Sequence, residues 1–254
     1  MTTPVERAWP SPPRTVLAAV DFEPASARAV ALAGFIAAAS DATLRVVHAE
    51  RVDAPPYFTP SQITRLEAER TDTAAEVGGE LKRFAVDATA WPVVVDVTEG
   101  PPAEVILRAA EHADLLVLGT HGRHGPARWW LGSVAERVVR GSRVPVLVTR
   151  ADTSPLADVF ARVVLVGDGA DPPLVARRYV DRLVAATGGA VEAASALAEC
   201  RSGTIAAASL VAVVSGSGRS SWALSDTVTA ALGRCAHPVL FLPHIDPTPQ
   251  EREP

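Results

Sequence analysis

The chain predicts an α/β fold: two tandem open sheets of parallel strands with helices on both faces, five strands to a complete copy, the second copy truncated. Three observations carry this expectation. Short apolar runs alternate with helical stretches from Arg14 onward, which is the pattern of βαβ units. The pattern restarts after Asp158 with echoes of the first half, the mark of an internal repeat. At 254 residues, 48% hydrophobic and 21% charged, the chain can bury a sizeable core, as one large or two modest domains.

The elements follow in order. Residues 16–20 read as the first strand, ending at Asp21, and the alanine-rich stretch 25–39 as a helix stopped by Ser40 and Asp41. Residues 44–48 form the second strand and 55–60 a loop. A long charged helix covers 61 to about 85, with Gly78 and Gly79 expected to interrupt its middle. The third strand is 93–97. A helix over 102–112 opens on proline, which suits a first turn that has no use for the missing N–H. Residues 115–118 are the fourth strand. A helix starting at Gly132 or Ser133 runs to near Gly141, and 146–148 closes the sheet.

Past a linker at 151–158, VVLVGD (163–168) echoes VLAAVD (16–21), and HPVLFL (237–242) echoes VPVLV (144–148). Between them AVVSGSGR (212–219) echoes LVLGTHGR (116–123). The distance from Asp168 to Ser215 is about half that from Asp21 to Gly119, so the second copy is expected to lack the long helix and one strand. The expected division is a disordered tail at 1–13, a first domain at 14–150, a second, degenerate domain at 159–243, and a C-terminal tail at 244–254.

Composition excludes several functions. A net charge of −5 with no Lys/Arg block argues against a nucleic-acid partner. Lys82 is the only lysine and no glycine loop precedes it, which removes Walker A nucleotide hydrolases. Cys200 and Cys235 stand apart from any Cys/His spacing of a zinc site, and read as reduced, buried thiols of a cytoplasmic protein. No apolar run approaches the ~20 residues of a membrane helix, and the proline-rich start lacks the apolar core of a secretory signal.

The feature richest in chemistry is Gly119, Thr120, His121, Gly122, then nine residues, then Gly132 and Ser133. It joins the apolar run 114–118 to the helical pattern 134–139. Glycines let a ligand approach the main chain and permit positive φ. Amides of such a turn and of the following helix start converge on an anion, aided by the helix dipole. Ser133 is placed to cap that helix and offer its hydroxyl to a phosphate oxygen. An ordinary strand–loop–helix turn with packing glycines is the bland alternative.

This motif, G-x2-G-x9-G-[S/T], with its preceding strand, the following SVAERV and the closing VPVLV, resembles the nucleotide-binding subfamily of the universal stress proteins. The resemblance implies a Rossmann-like fold of the adenine nucleotide alpha hydrolase type, with ATP as ligand, alone or with Mg2+. It matches Asp21 to the aspartate that approaches adenosine, and the backbone of Ala19, Val20 and Ala49 to the lining of adenine. Gly119, His121, Gly122, Arg123, Gly132, Ser133 and Val134 match its phosphate and ribose side.

Each residue has a bland alternative. Asp21 serves equally as a helix cap, and His121 as an exposed loop histidine. Arg123 and Arg128 pair with phosphate or stay solvated, and only Arg123 has a place in the motif. Trp129 and Trp130 suit a lid or a subunit contact and are not assigned to the site.

Micromolar nucleotide binding needs about −8 kcal/mol, and a charge-assisted hydrogen bond contributes roughly 1.5–3, so several donors must converge. The second copy keeps Gly218 and Arg219. It has Ser215 for Gly119, a loop three residues shorter (215–225 against 119–132), Ser225 for Gly132 and Asp226 for Ser133. A carboxylate at that helix start repels an anion, so the second copy is expected to bind no ATP.

The resemblance implies a cytoplasmic stress-response regulator whose first domain binds adenine nucleotide and whose second is a non-binding partner. Strands 146–148 and 239–242 are expected to pair within the chain as a pseudo-dimer, with a homodimer as a further assembly. Two other readings stand beside it: a slow ATPase or self-phosphorylating switch, for which no base stands out, and a nucleotide-free interaction scaffold.

Overall fold

The structure, a computed structural model, describes residues 9–50, 60–120, 131–151, 154–168, 170–196, 202–214 and 237–243. It is a single nine-stranded sheet covered by helices on both faces. The strands are β1 (Thr15–Val20), β2 (Thr43–Glu50), β3 (Val93–Glu99), β4 (Leu115–Thr120), β5 (Val146–Arg150), β6 (Val163–Gly167), β7 (Val191–Ala196), β8 (Leu210–Val214) and β9 (Val239–Leu242). The helices are α1 (Pro24–Ser40), α2 (Pro60–Ala88), α3 (Pro102–Ala110), α4 (Ser133–Gly141), α5 (Leu174–Ala186) and α6 (Ser202–Ala207), with a 3-10 turn at Leu156–Phe160.

The strand order is β3-β2-β1-β4-β5-β9-β8-β6-β7. Every pairing is parallel except β5–β9, where Val146 faces Phe241, Leu147 faces Leu240 and Val148 faces Val239 in antiparallel register. The expected two sheets are thus joined edge to edge into one. From the joint outward the order on one side is β5-β4-β1-β2-β3 and on the other β9-β8-β6-β7. Among the described residues the second half has one strand fewer, and its β7–β8 connection holds α6.

Parallel strands are buried on both faces and read as continuous β-branched runs. β4, β6, β8 and β9 are apolar and buried from end to end or nearly so. Alternate residues supply two apolar layers. Val16, Ala18, Leu44, Val46, Leu115 and Val117 pack with α1, α2 and α5, whereas Leu17, Ala19, Val47, Leu116 and Leu118 pack with α3 and α4.

Several local expectations need correction. α2 runs unbroken through Gly78 and Gly79, because its packing on β3 outweighs the weak helix propensity of glycine; a Cβ at Gly78 would stand 4.0 Å from Val97 Cγ2. The stretch 151–158 runs into the 3-10 turn, where Val159 and Phe160 are buried and the Phe160 ring stacks on Phe35 of α1 at 6.2 Å. Trp9 and Ser11, within the expected N-terminal tail, lie on α5: Trp9 meets Tyr179 edge-on at 5.5 Å, and the Ser11 hydroxyl donates to the Tyr179 carbonyl at 2.9 Å. Burial raises the Tyr179 hydroxyl well above the usual tyrosine range, with the nearby Asp114 charge adding to the effect. Cys200, Cys235 and the loop at 55–59 lie outside the described residues.

Candidate functional site

In an open α/β sheet the strand order reverses at one point, and the crevice beyond the strand tips there is the natural ligand site. Here the reversal falls between β1 and β4, and a cavity of about 440 Å³ opens there. It is lined by Ala19, Val20 and Asp21 from the tip of β1, Ala49 from β2, Gly119 from β4 and Val134 from α4. Those are six of the eleven residues expected at the site. His121, Gly122 and Arg123 lie outside the described residues. Gly132 and Ser133 stand beside the cavity, exposed, and do not line it.

The β1–α1 turn is braced by its own polar groups. The Asp21 carboxylate accepts the Glu23 amide at 3.2 Å, the Ser26 hydroxyl donates to the Glu23 carbonyl at 2.9 Å, and the Asp21 amide reaches Ser26 Oγ at 3.4 Å. Glu23, not Asp21, holds the N-cap position of α1, so Asp21 stabilises the turn ahead of the helix. Phe22 adopts φ 62°, a conformation that is rare for a bulky residue. Its ring packs on His48 at 4.8 Å and on Phe84 at 5.5 Å.

His48 and Glu50 also line the cavity. His48 Nδ1 donates to the Val20 carbonyl at 2.8 Å, which ties the tips of β1 and β2, and Nε2 lies 3.4 Å from Glu50 Oε2. The Nδ1 bond fixes the orientation of the imidazole at the cavity wall. Sequence reasoning missed His48, Glu50 and Ser26. A signal for His48 existed: Leu44 and Val46 are core residues at alternate positions of β2, and a polar side chain continuing that period at a strand tip marks a site.

The glycines act differently from expectation. Gly119 is not among the positive-φ residues. Its role is close packing: a Cβ there would collide with the backbone of Ala25 and come within 2.6 Å of the Ser26 nitrogen. Gly132 has φ −62° and ψ 159° and occupies the N-cap position of α4. The helix begins at Ser133, so the Ser133 hydroxyl is not its cap. The Gly132 amide donates to Thr120 Oγ1 at 3.3 Å, which ties the start of α4 to the tip of β4. The first helical bond is Glu136 N–H to the Gly132 carbonyl at 2.9 Å. The amides of Ser133, Val134 and Ala135 precede it and have no intrahelical acceptor, and Val134 and Ala135 line the cavity.

The fold is an open α/β sheet with a cavity at its topological switch point, the place where such sheets receive ligands. The model of the universal stress protein family matches residues 13–150, more than half of the chain, and the chain belongs to that family.

A universal stress protein of Methanocaldococcus jannaschii is 45% identical over 74 residues, which are 28% of this chain and 44% of that protein. The universal stress protein encoded 3′ of the QAH/OAS sulfhydrylase of Thermus aquaticus is 36% identical over 140 residues, 54% of this chain and 98% of its own length. The match thus spans under half of the first relative and nearly all of the second. The crystal structure of a universal stress protein from Archaeoglobus fulgidus covers 91% of this chain and 98% of its own at 18% identity, with a TM-score of 0.66, and shows the shared fold. Among the described residues no helix is long and apolar enough to cross a membrane.

Proposed function

We propose that the cavity at the β1/β4 switch point binds an adenine nucleotide, ATP, and that the chain is a nucleotide-responsive stress regulator. One observation carries this reading: the first turn of α4, whose amides have no acceptor within the helix, supplies Val134 and Ala135 to the wall of a cavity whose other walls are the tips of β1, β2 and β4. The volume is in the range of small-molecule sites, and a helix N-terminus favours an anion. In this arrangement adenine lies against the backbone of Ala19, Val20 and Ala49. Asp21 approaches the ribose, and the polyphosphate meets the amides of residues 133–135 together with the loop of His121, Gly122 and Arg123.

The second half, residues 159–243, is a non-binding partner that pairs with the first through β5–β9, a pseudo-dimer within one polypeptide. The tips of its described strands support that reading. The Asp168 amide donates to the Val214 carbonyl at 3.1 Å, stitching the tips of β6 and β8 together. The Ala170 carbonyl fills the space a side chain at Gly167 would need.

Titration of the purified chain with ATP tests the site. Gly122→Val and Ser133→Asp each weaken binding at least tenfold, because one places bulk in the phosphate turn and the other a carboxylate at the helix start; unchanged affinity in both overturns the proposal. Thr120→Val removes the acceptor of the Gly132 amide and weakens ATP binding about fivefold, the value of one neutral hydrogen bond near 1 kcal/mol. Thr120→Ser keeps the hydroxyl and the wild-type affinity.

A further inference from the structure

The cavity wall is electrically uneven. At one end Val134 and Ala135 belong to the start of α4, where the helix favours an anion. At the other, Glu50 brings a carboxylate from the tip of β2. β1 lies between β2 and β4, so at a strand spacing of about 4.8 Å the β2 and β4 tips stand roughly 10 Å apart. Like charge keeps a polyphosphate from the Glu50 end, and what suits that end is a hydrogen-bond donor. Resting on the nucleotide reading above, we propose that Glu50 determines which base is taken: its carboxylate accepts the exocyclic 6-amino group of adenine and turns away a purine that presents an oxygen there.

Glu50 is held in place. Its carbonyl accepts the Gly100 amide at 3.0 Å, and the residue pairs with Glu99 of β3. Its side chain is 31% exposed, with Oε2 lying 3.4 Å from His48 Nε2. His48 is itself fixed: the Val20 carbonyl can only accept, so Nδ1 is the donor of their 2.8 Å bond. A carboxylate offers about four lone-pair sites, and the His48 contact involves Oε2 alone, which leaves Oε1 for a ligand. Asp21, the other carboxylate of this wall, accepts the Glu23 amide and sits one strand nearer to α4.

The surroundings suit a base. Val47, Pro102, Ile106 and Leu118 make the adjoining wall apolar, as a planar ring requires. A ligand that covers Glu50 removes its water, and a carboxylate shut off without a donor costs more than a hydrogen bond returns. The 6-amino group of adenine supplies that donor. A 6-oxo group sets a second acceptor against it, the kind of mismatch that a hydrogen-bonding site rejects strongly.

Equilibrium titrations with ATP and with ITP, whose hypoxanthine base is the 6-oxo counterpart of adenine, test the assignment. The wild type binds ATP at least tenfold more tightly than ITP. Glu50→Ala removes the acceptor and brings the ratio below about threefold. Glu50→Gln, whose amide offers both a donor and an acceptor, does so by tightening ITP. Both affinities are read on the same preparation, so any unfolded fraction cancels in the ratio, and circular dichroism verifies the fold of each variant. 2′-Deoxy-ATP separates the amine from the sugar: its affinity relative to ATP is the same in the wild type and in Glu50→Ala. A wild type that binds neither ATP nor ITP overturns the nucleotide reading and this inference together. ATP binding with no preference over ITP, a preference that survives in either variant, or a change confined to 2′-deoxy-ATP overturns the inference alone.

Discussion

Gly119→Ala lowers the thermal unfolding midpoint of the chain by about 6–10 °C and abolishes ligand binding at the cavity. The added methyl meets backbone, not the flexible end of a side chain: Ala25 and Ser26 stand in its way. Relief requires α1 to move away from β4, and α1 carries Ala29, Val30, Leu32, Ala33 and Ile36 in the core, all with no exposed surface. Overpacking of this kind costs up to about 3 kcal/mol, and in a chain of this size each kcal/mol lowers the midpoint by roughly 2–4 °C. Binding fails because the displaced turn is the one that fixes Asp21 through Ser26. A calorimetric scan and an ATP titration read the two effects. A midpoint within a degree of wild type would show that the contact is slack.

Phe160→Ala costs about 3–5 kcal/mol, the usual price of emptying an aromatic site in a packed core. Phe160 is fully buried, stacks on Phe35 of α1, and has its carbonyl against Gly189 near the start of β7. It touches elements of both halves, so the cavity left behind cannot be closed by moving either alone. Urea unfolding of the variant shows a lower midpoint with an unchanged slope. A loss under 1 kcal/mol would mean that the connection between the halves is dispensable.

The strands were legible because parallel strands must be apolar on both sides, and runs such as LLVL before Gly119 and VVLV before Gly167 have no other economical reading. Helix ends were less legible. Ser133 looks like a cap by residue type, yet the chain enters α4 one residue earlier, through Gly132 with extended ψ. Gly119 shows the limit most clearly. Locally it reads as a turn glycine, and only the tertiary approach of α1, nearly a hundred residues earlier in the chain, reveals that it is there for want of room. The strand tips gathered Ala19, Val20, Asp21 and Ala49 as anticipated, since end-of-strand position follows from the strands themselves. His48 escaped notice because its partners, Val20 and Phe22, lie on another element.

The single antiparallel seam reverses the polarity of the molecule. All strands of the first half run one way and all those of the second run the other, so their carboxyl ends emerge on opposite rims. Asp21 and Gly119 open on one rim, and Asp168 and Val214 on the far one. Whatever docks against the second half's strand tips does so from the side remote from the cavity, and both rims can be engaged at once without competition.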